Sequence, residues 1–384
     1  MTQSEAILLS LVKRSLFGIE EPLPSSVDWN AVFQEAQDQA VVGIVAPMVP
    51  RDCLPEIQAK WNSTMNRHVS QQVRYWYAQD QLDKLLTKNE IPYVILKGAT
   101  AAMNYPDPLR RTMGDIDFLV PPNLFEHTKT LLLQNGYVQI HEQNDRNIGL
   151  SKDHFVFELH RSFSYCDLNM DDVLLDGLSR SERKTVENHG FWALPTIENG
   201  LVLLGHLWGH LHTGVGLRQI LDWILFVHDN LNDELWNTVF SPLARTYGLE
   251  KLAITTAYLG KKYLGLPDNY SWYANADETL CYDLLSQVLH FGNFDRKATN
   301  KTLADMKVQG ALSSIHRYGF FRLLQQRGEV HWEACHRHPW LKPFAWLYQI
   351  IRYPVLWLIM PKQYKLSALV QKENKIHDLL VRLK

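Results

Sequence analysis

The chain has 384 residues, of which 46% are hydrophobic, and its 39 Lys and Arg nearly cancel 41 Asp and Glu for a formal charge of −2. At about 100–200 residues per domain this length accommodates two or three domains with sizeable cores, which excludes a disordered chain. The charge balance excludes an overall basic nucleic-acid surface. Four cysteines, Cys53, Cys166, Cys281 and Cys335, stand apart without CxxC pairs, as expected of reduced thiols in a cytoplasmic protein. Glu5 precedes the first apolar run and Lys13 and Arg14 follow it, the reverse of a secretory signal, so export is not expected.

From residue 4 to 88 apolar residues recur at helical spacing, as in Leu8, Leu11, Val12 and Leu16. A second helical run spans 29–45, and a single long helix is predicted over 56–88. Residues 1–88 thus read as an N-terminal helical region. At Ile91 the texture changes, and short apolar runs predict strands over 93–97, 115–120, 137–142 and 154–161. Helices are predicted between them at 99–104 and 123–134, the second stopped by Asn135-Gly136. The fold class that follows is α+β, with a small mixed-sheet core over 89–171 flanked by helices. After Asp171 strand signals fade, and caps such as Asp233 and Asp277 and terminators such as Gly248 and Gly265 mark a C-terminal helical domain over 172–384.

The apolar stretch 344–360 is interrupted by Gln349, Arg352 and Pro354, so no transmembrane segment is expected at the roughly 20 residues a span requires. With Trp346, Tyr348, Tyr353 and Trp357 between Lys342, Lys362 and Lys365, it has the composition of a segment in interfacial membrane contact. A core helix broken at Pro354 is the simpler reading.

The informative segment is Gly114-Asp115-Ile116-Asp117-Phe118-Leu119-Val120. Strand side chains alternate faces, so Asp115 and Asp117 project together while Ile116 and Phe118 turn to the core. Two adjacent carboxylates repel unless a cation lies between them, which points to Mg²⁺ or Mn²⁺. In Phe155-Val156-Phe157-Glu158-Leu159-His160 the apolar residues share one face and Glu158 and His160 the other, making Glu158 the third catalytic and metal carboxylate. Leu96-Lys97-Gly98-Ala99-Thr100 is a strand end turning into a helix start, where backbone N–H groups favour phosphate. Lys97 and Thr100 add a charge and a hydroxyl, and Arg111, four residues before Asp115, is placed to pair with phosphate oxygens.

Taken in order, these pieces resemble the nucleotidyltransferase superfamily typified by polymerase beta, over residues 93–160. The string Leu96-Lys97-Gly98, Tyr105-Pro106, Arg111, Gly114 to Val120, Gly136-Tyr137 and Glu158-Leu159-His160 is more closely similar to an uncharacterised bacterial nucleotidyltransferase family. The resemblance implies that Asp115, Asp117 and Glu158 hold metal and that the nucleotide phosphates lie by Gly98, with Lys97, Ala99, Thr100, Arg111 and Gly114 around them. Where the superfamily follows its glycine with Ser or a second Gly, this chain has Ala99, with Thr100 one place later.

His206 and His210 lie one helical turn apart, as polar helix packing or as a shared ligand pair, with His212 roughly opposite. Arg218 and Asp222 are spaced for an intrahelical ion pair, and their simplest role is that pair. Similar His and Arg-x-x-x-Asp positions follow the catalytic segment in the narrower family, which makes His206, His210, Arg218 and Asp222 candidates for an acceptor cleft; His160, on the face of Glu158, is a further candidate there, orienting a metal ligand or substrate, or else a structural histidine. His331, Cys335, His336 and His338 form a further His-rich segment, most simply a surface loop before Pro339.

The reading that follows is an Mg²⁺- or Mn²⁺-dependent nucleotidyltransferase with an NTP such as ATP as donor, transferring a nucleoside monophosphate to an acceptor hydroxyl with release of pyrophosphate. Near-neutral charge favours a small molecule, sugar or protein as acceptor over nucleic acid. Phosphotransfer on the same fold, and nucleotide or partner binding without turnover, are the alternatives.

Overall fold

The structure, a computed structural model, describes residues 1–51, 53–140, 146–165, 168–186, 188–211, 214–293, 296–297, 324–325, 332, 334–335, 338–348, 350–351 and 366–384. They fall in two compact units, Met1–Lys297 with Leu383–Lys384, and Ala298–Arg382. In the second, Pro339–Phe344 forms a 3-10 turn and the rings of Trp332 and Tyr348 stack with centroids 5.4 Å apart.

The first unit opens with four helices. Helix α1 (Gln3–Phe17) begins with a capping box in which the Glu5 N–H donates to the Thr2 hydroxyl and the Glu5 carboxylate accepts from the Thr2 N–H. Asp28 caps α2 (Trp29–Asp38) through the N–H groups of Asn30 and Ala31. A short α3 (Val42–Val45) leads to α4 (Pro55–Lys88), which Pro55 starts at the position where a missing N–H costs nothing. The buried face of α4 carries Tyr75, Trp76, Leu82 and Leu86 into the core of the sheet.

Among the described residues nine strands follow: β1 (Val94–Leu96), β2 (Ile116–Leu119), β3 (Val138–Gln139), β4 (Asn147–Lys152), β5 (Phe155–His160), β6 (Ser164–Tyr165), β7 (Leu168–Asn169), β8 (Glu182–Val186) and β9 (His189–Ala193). Strands β6 and β7 form a ribbon of their own; the other seven form one mixed sheet in the order β3-β4-β5-β2-β1-β9-β8. Between them lie α5 (Gly98–Ala102), α6 (Phe125–Gln134) and α7 (Asp171–Ser179). The sheet is succeeded by α8 (Thr196–Leu211), α9 (Leu217–Asn230) and later helices including Glu250–Leu259 and Glu278–Phe291. The chain therefore adopts the expected α+β class, a mixed sheet with helical flanks.

Besides the short β6 and β7, three strands of the mixed sheet depart from the sequence reading. Strand β4 carries only Ile148 and Leu150 as buried large residues around Gly149, too short an alternation to register. Strands β8 and β9 lie beyond Asp171, in the stretch read as helical. Strand β8 is an exposed, charged edge, Glu-Arg-Lys-Thr-Val, and β9 contributes Phe191 and Ala193 to the core. Polar edge strands lack the alternation that marks half-buried ones. Asp277 caps its helix as expected, whereas the cap before Asp233 is Asn232, and Asp233 instead accepts the Ser271 N–H.

The core and the helices after it are joined by a buried ion pair. Arg111, 3% exposed, gives Nε to Asp222 Oδ1 and Nη2 to Oδ2, both at 2.7 Å, and the Tyr105 hydroxyl donates to Oδ1 at 2.8 Å. This bidentate, desolvated geometry is the strong kind, and removing one partner strands the other charge. Asp222→Ala is therefore expected to destabilise this unit by about 3–5 kcal/mol, read from the urea midpoint by tryptophan fluorescence. A paired Arg111→Met/Asp222→Leu replacement should recover much of that loss. A cost below about 1 kcal/mol for Asp222→Ala, the range of an exposed pair, would contradict the assignment.

Candidate functional site

Register brings the carboxylates together. Strand β2 runs parallel to β5 with Asp117 opposite Glu158 and Leu119 opposite His160. Ile116, Phe118, Phe157 and Leu159 are buried in the core, so alternation sends Asp117, Glu158 and His160 to the opposite face. Asp115 stands one residue ahead of β2, and the charge of Asp117, followed by burial, raises its pKa.

Cationic groups of the chain already offset this charge. Lys97 Nζ lies 2.8 Å from Asp117 Oδ1, and His160 Nε2 lies 3.0 Å from the same oxygen and 3.4 Å from Glu158 Oε2. Burial opposes a charge on His160, yet its hydrogen bonds to Asp117 and Glu158 outweigh burial and raise its pKa. The His160 hydrogen bond likewise lowers the pKa of Glu158 against burial, with Lys97 assisting. The Asn147 amide donates to Glu158 Oε2 at 3.2 Å.

Asp117 is 1% exposed, and its Oδ2 is a buried oxygen without a hydrogen-bond partner. A buried, unsatisfied carboxylate oxygen is costly and calls for a cation. Asp117, Glu158 and His160 offer ligand atoms all within 4.8 Å of one another. The carboxylate oxygens of Asp117 and Glu158, with Asp115 beside them, form a donor set suited to Mg²⁺ or Mn²⁺, to which His160 adds a nitrogen only in its neutral form.

The turn that delivers Lys97 is strained. Lys97 has φ 49° and ψ −141°, a conformation that costs a non-glycine residue about 1–3 kcal/mol. Its carbonyl accepts both the Thr100 N–H at 2.8 Å and the Thr100 hydroxyl at 2.7 Å, which pins the turn. The Thr100 hydroxyl, expected at a phosphate, is thus engaged with its own turn, and the Ala99 side chain is in the core. Gly98 has φ 40°, and a Cβ there would meet Met113 Sδ at 3.2 Å. Gly114 is exposed, with its carbonyl held by the Tyr75 hydroxyl at 2.6 Å.

Arg111, expected at phosphate, turns away to Asp222, which also leaves the expected Arg218–Asp222 pair unmade. Arg218 instead gives Nη1 to the Thr112 carbonyl at 2.8 Å. His206 and His210 meet as expected of neighbours one turn apart, Nε2 to Nε2 at 2.8 Å. One ring donates and the other accepts, so the two hold opposite tautomers. Of the remaining expectations, His212, His331, His336 and Pro354 lie outside the described residues, while Cys335 is buried and His338 exposed. Sequence reasoning missed Asn147, hidden in an unrecognised strand, and Tyr75, whose hydroxyl reaches Gly114 only through the fold. Tyr105 entered only through the resemblance, with no hint of its bond to Asp222.

Residues 25–265 match a family model described as uncharacterised nucleotidyltransferase. Among solved structures the chain is similar to an antigenic nucleotidyltransferase-like protein from Paracoccidioides brasiliensis, at 15% identity over 46% of this chain and 90% of that one, with a TM-score of 0.30. No curated protein matches by sequence. Among the described residues no helix is long and apolar enough to cross a membrane.

The histidine pair carries a pH dependence. Burial, then the charge of Lys97, depresses both imidazoles, His210 to about 3. Below the unfolded value of 6.5 the unfolded chain binds protons that the folded chain refuses. Stability should therefore fall with decreasing pH, by up to about 1.4 kcal/mol per pH unit for each such group. Urea midpoints between pH 7 and 5 should drop less steeply in His210→Gln than in the wild type. Parallel profiles would show that His210 is protonated in the folded protein.

Proposed function

The chain belongs to the uncharacterised nucleotidyltransferase family, and from that premise we propose that it is a metal-dependent enzyme transferring a nucleoside monophosphate from an NTP to an acceptor hydroxyl. The observation that carries this reading is Asp117, a buried carboxylate with an unpartnered oxygen, opposite Glu158 and beside Asp115. Mg²⁺ or Mn²⁺ held by Asp115, Asp117 and Glu158 would neutralise phosphate charge and lower the pKa of the acceptor hydroxyl.

In the reaction the acceptor oxygen bonds to the α-phosphorus while the bond from that phosphorus to the leaving oxygen breaks. Pyrophosphate departs with the electron pair of the broken bond. The acceptor proton passes to Glu158, whose side chain is 32% exposed where that of Asp117 is 1% exposed. His160 keeps Glu158 ionised and oriented for that role. Lys97 supplies positive charge for the donor phosphates at the turn through Gly98, with Gly114 close to the same carboxylates. His206, His210 and Arg218 shape the acceptor side. Catalysis of this kind rests on positioning and preorganised charge and requires no covalent nucleophile.

A second reading, binding without turnover, draws support from Lys97, whose ammonium already neutralises one Asp117 oxygen. The product formed separates the readings. With glycerol as a generic hydroxyl acceptor, each of the four NTPs and Mg²⁺ or Mn²⁺, the expected product is pyrophosphate. Asp117→Asn and Glu158→Gln should slow its release by about 100-fold or more. A nucleoside diphosphate in its place would establish phosphotransfer, and nucleotide binding with neither product would favour the second reading.

A further inference from the structure

Beside Asp115 lies a cavity of about 420 Å³ lined by residues that include His68, Gln71, Asp115, Arg218, Asn293 and Arg296. Its volume is that of a small-molecule pocket, for which about 300–1,000 Å³ is usual. Asp115 lines this cavity and stands two residues before Asp117, so a molecule seated here lies next to the proposed metal site.

The lining is polar and cationic in a chain that is close to neutral overall. Arg218 and Arg296 are its basic residues and Asp115 its acidic one. Arg218 anchors Nη1 on the Thr112 carbonyl, while its Nε is buried without a hydrogen-bond partner. His68 Nδ1 is also buried without a partner. Arg296 is exposed and fixed through Nη1 on the Gln37 carbonyl at 2.9 Å. A guanidinium with an unpaired buried N–H carries a desolvation cost that an oxyanion would remove, and a guanidinium edge suits phosphate oxygens. The surroundings sharpen that cost: burial lowers the pKa of Arg218, and the charge of Arg111 adds to it.

We propose that this cavity is a subsite for a phosphoryl oxyanion carried by a substrate, bound by Arg218 and Arg296 with His68 as a hydrogen-bonding partner. The assignment rests on the nucleotidyltransferase reading for its link to catalysis, but anion binding itself requires neither metal nor turnover. The oxyanion belongs either to the acceptor, which would then be a phosphorylated small molecule, or to the triphosphate tail of the donor.

The test is calorimetric titration of inorganic phosphate into the metal-free 384-residue chain at low ionic strength, repeated with Arg218→Gln and Arg296→Gln. Saturable binding by the wild type is expected, weakened about tenfold or more in each variant, the loss of one charge-assisted contact. Arg296→Gln alters an exposed side chain and keeps the test valid if Arg218→Gln perturbs the fold. Repeating the wild-type titration with saturating Mg²⁺ and NTP separates the sources: unchanged phosphate binding assigns the subsite to the acceptor, and competition assigns it to the donor. No saturable binding, or equal binding in the wild type and a folded variant, overturns the subsite. Asp117→Asn should keep its phosphate affinity even where pyrophosphate release is lost, so failure of the catalytic reading and failure of the subsite remain distinguishable.

Discussion

Everything at this site follows from placing carboxylates side by side on a largely buried sheet face. Asp117 and Glu158 face each other across parallel strands with Asp115 adjoining, in surroundings where like charges are poorly screened. The chain meets that repulsion with Lys97 and His160, both within 3.0 Å of one Asp117 oxygen, and leaves the other oxygen unpartnered. The compensation is partial: half of the Asp117 carboxylate is satisfied from within and half invites a cation from outside. The strained Lys97 backbone fits this account, since strain persists where surrounding contacts hold it and tends to gather at functional sites.

The scaffold fixes these groups from several directions. Tyr75 on α4 holds the Gly114 carbonyl immediately before Asp115, and the Gln72 side chain accepts the Met113 N–H at 2.9 Å. Arg111 and Tyr105 meet Asp222 of α9, tying the segment that leads into β2 to the helical flank that also carries Arg218. Groups whose charge must be placed to a fraction of an ångström are thus carried on short strands braced by a long helix on one side and a buried ion pair on the other.

The parts that were legible in the sequence are those whose information is local. Alternation over Ile116 to Leu119 and Phe157 to His160 assigned each side chain to a face, and the observed register agrees, while Asp115 stands ahead of the strand. The long helix through Lys88, the Asn135-Gly136 stop and the Asp277 cap were likewise written in neighbouring residues. What was hidden is non-local or lacks a pattern. Arg111 and Asp222 are 111 positions apart, and the helical spacing of Arg218 and Asp222 suggested a partner that geometry assigns elsewhere. Strand β8 is a charged edge whose Arg183 pairs with Asp83 of α4, 100 positions away, so it reads as solvated chain until the fold is known. The cavity beside Asp115 draws His68, Asp115, Arg218 and Arg296 from four separate segments, which no spacing rule connects.

The most direct measurement of the central claim is an electron paramagnetic resonance titration of Mn²⁺, in the absence of nucleotide, on the wild type and on Asp117→Asn. The unpartnered Asp117 oxygen and its neighbours predict that the wild type removes Mn²⁺ from the free-ion signal and that Asp117→Asn, folded to the same extent, loses this capacity. Equal Mn²⁺ uptake by the two proteins, or none by the wild type, would contradict the account, because the carboxylate cluster would then be satisfied by Lys97 and His160 alone.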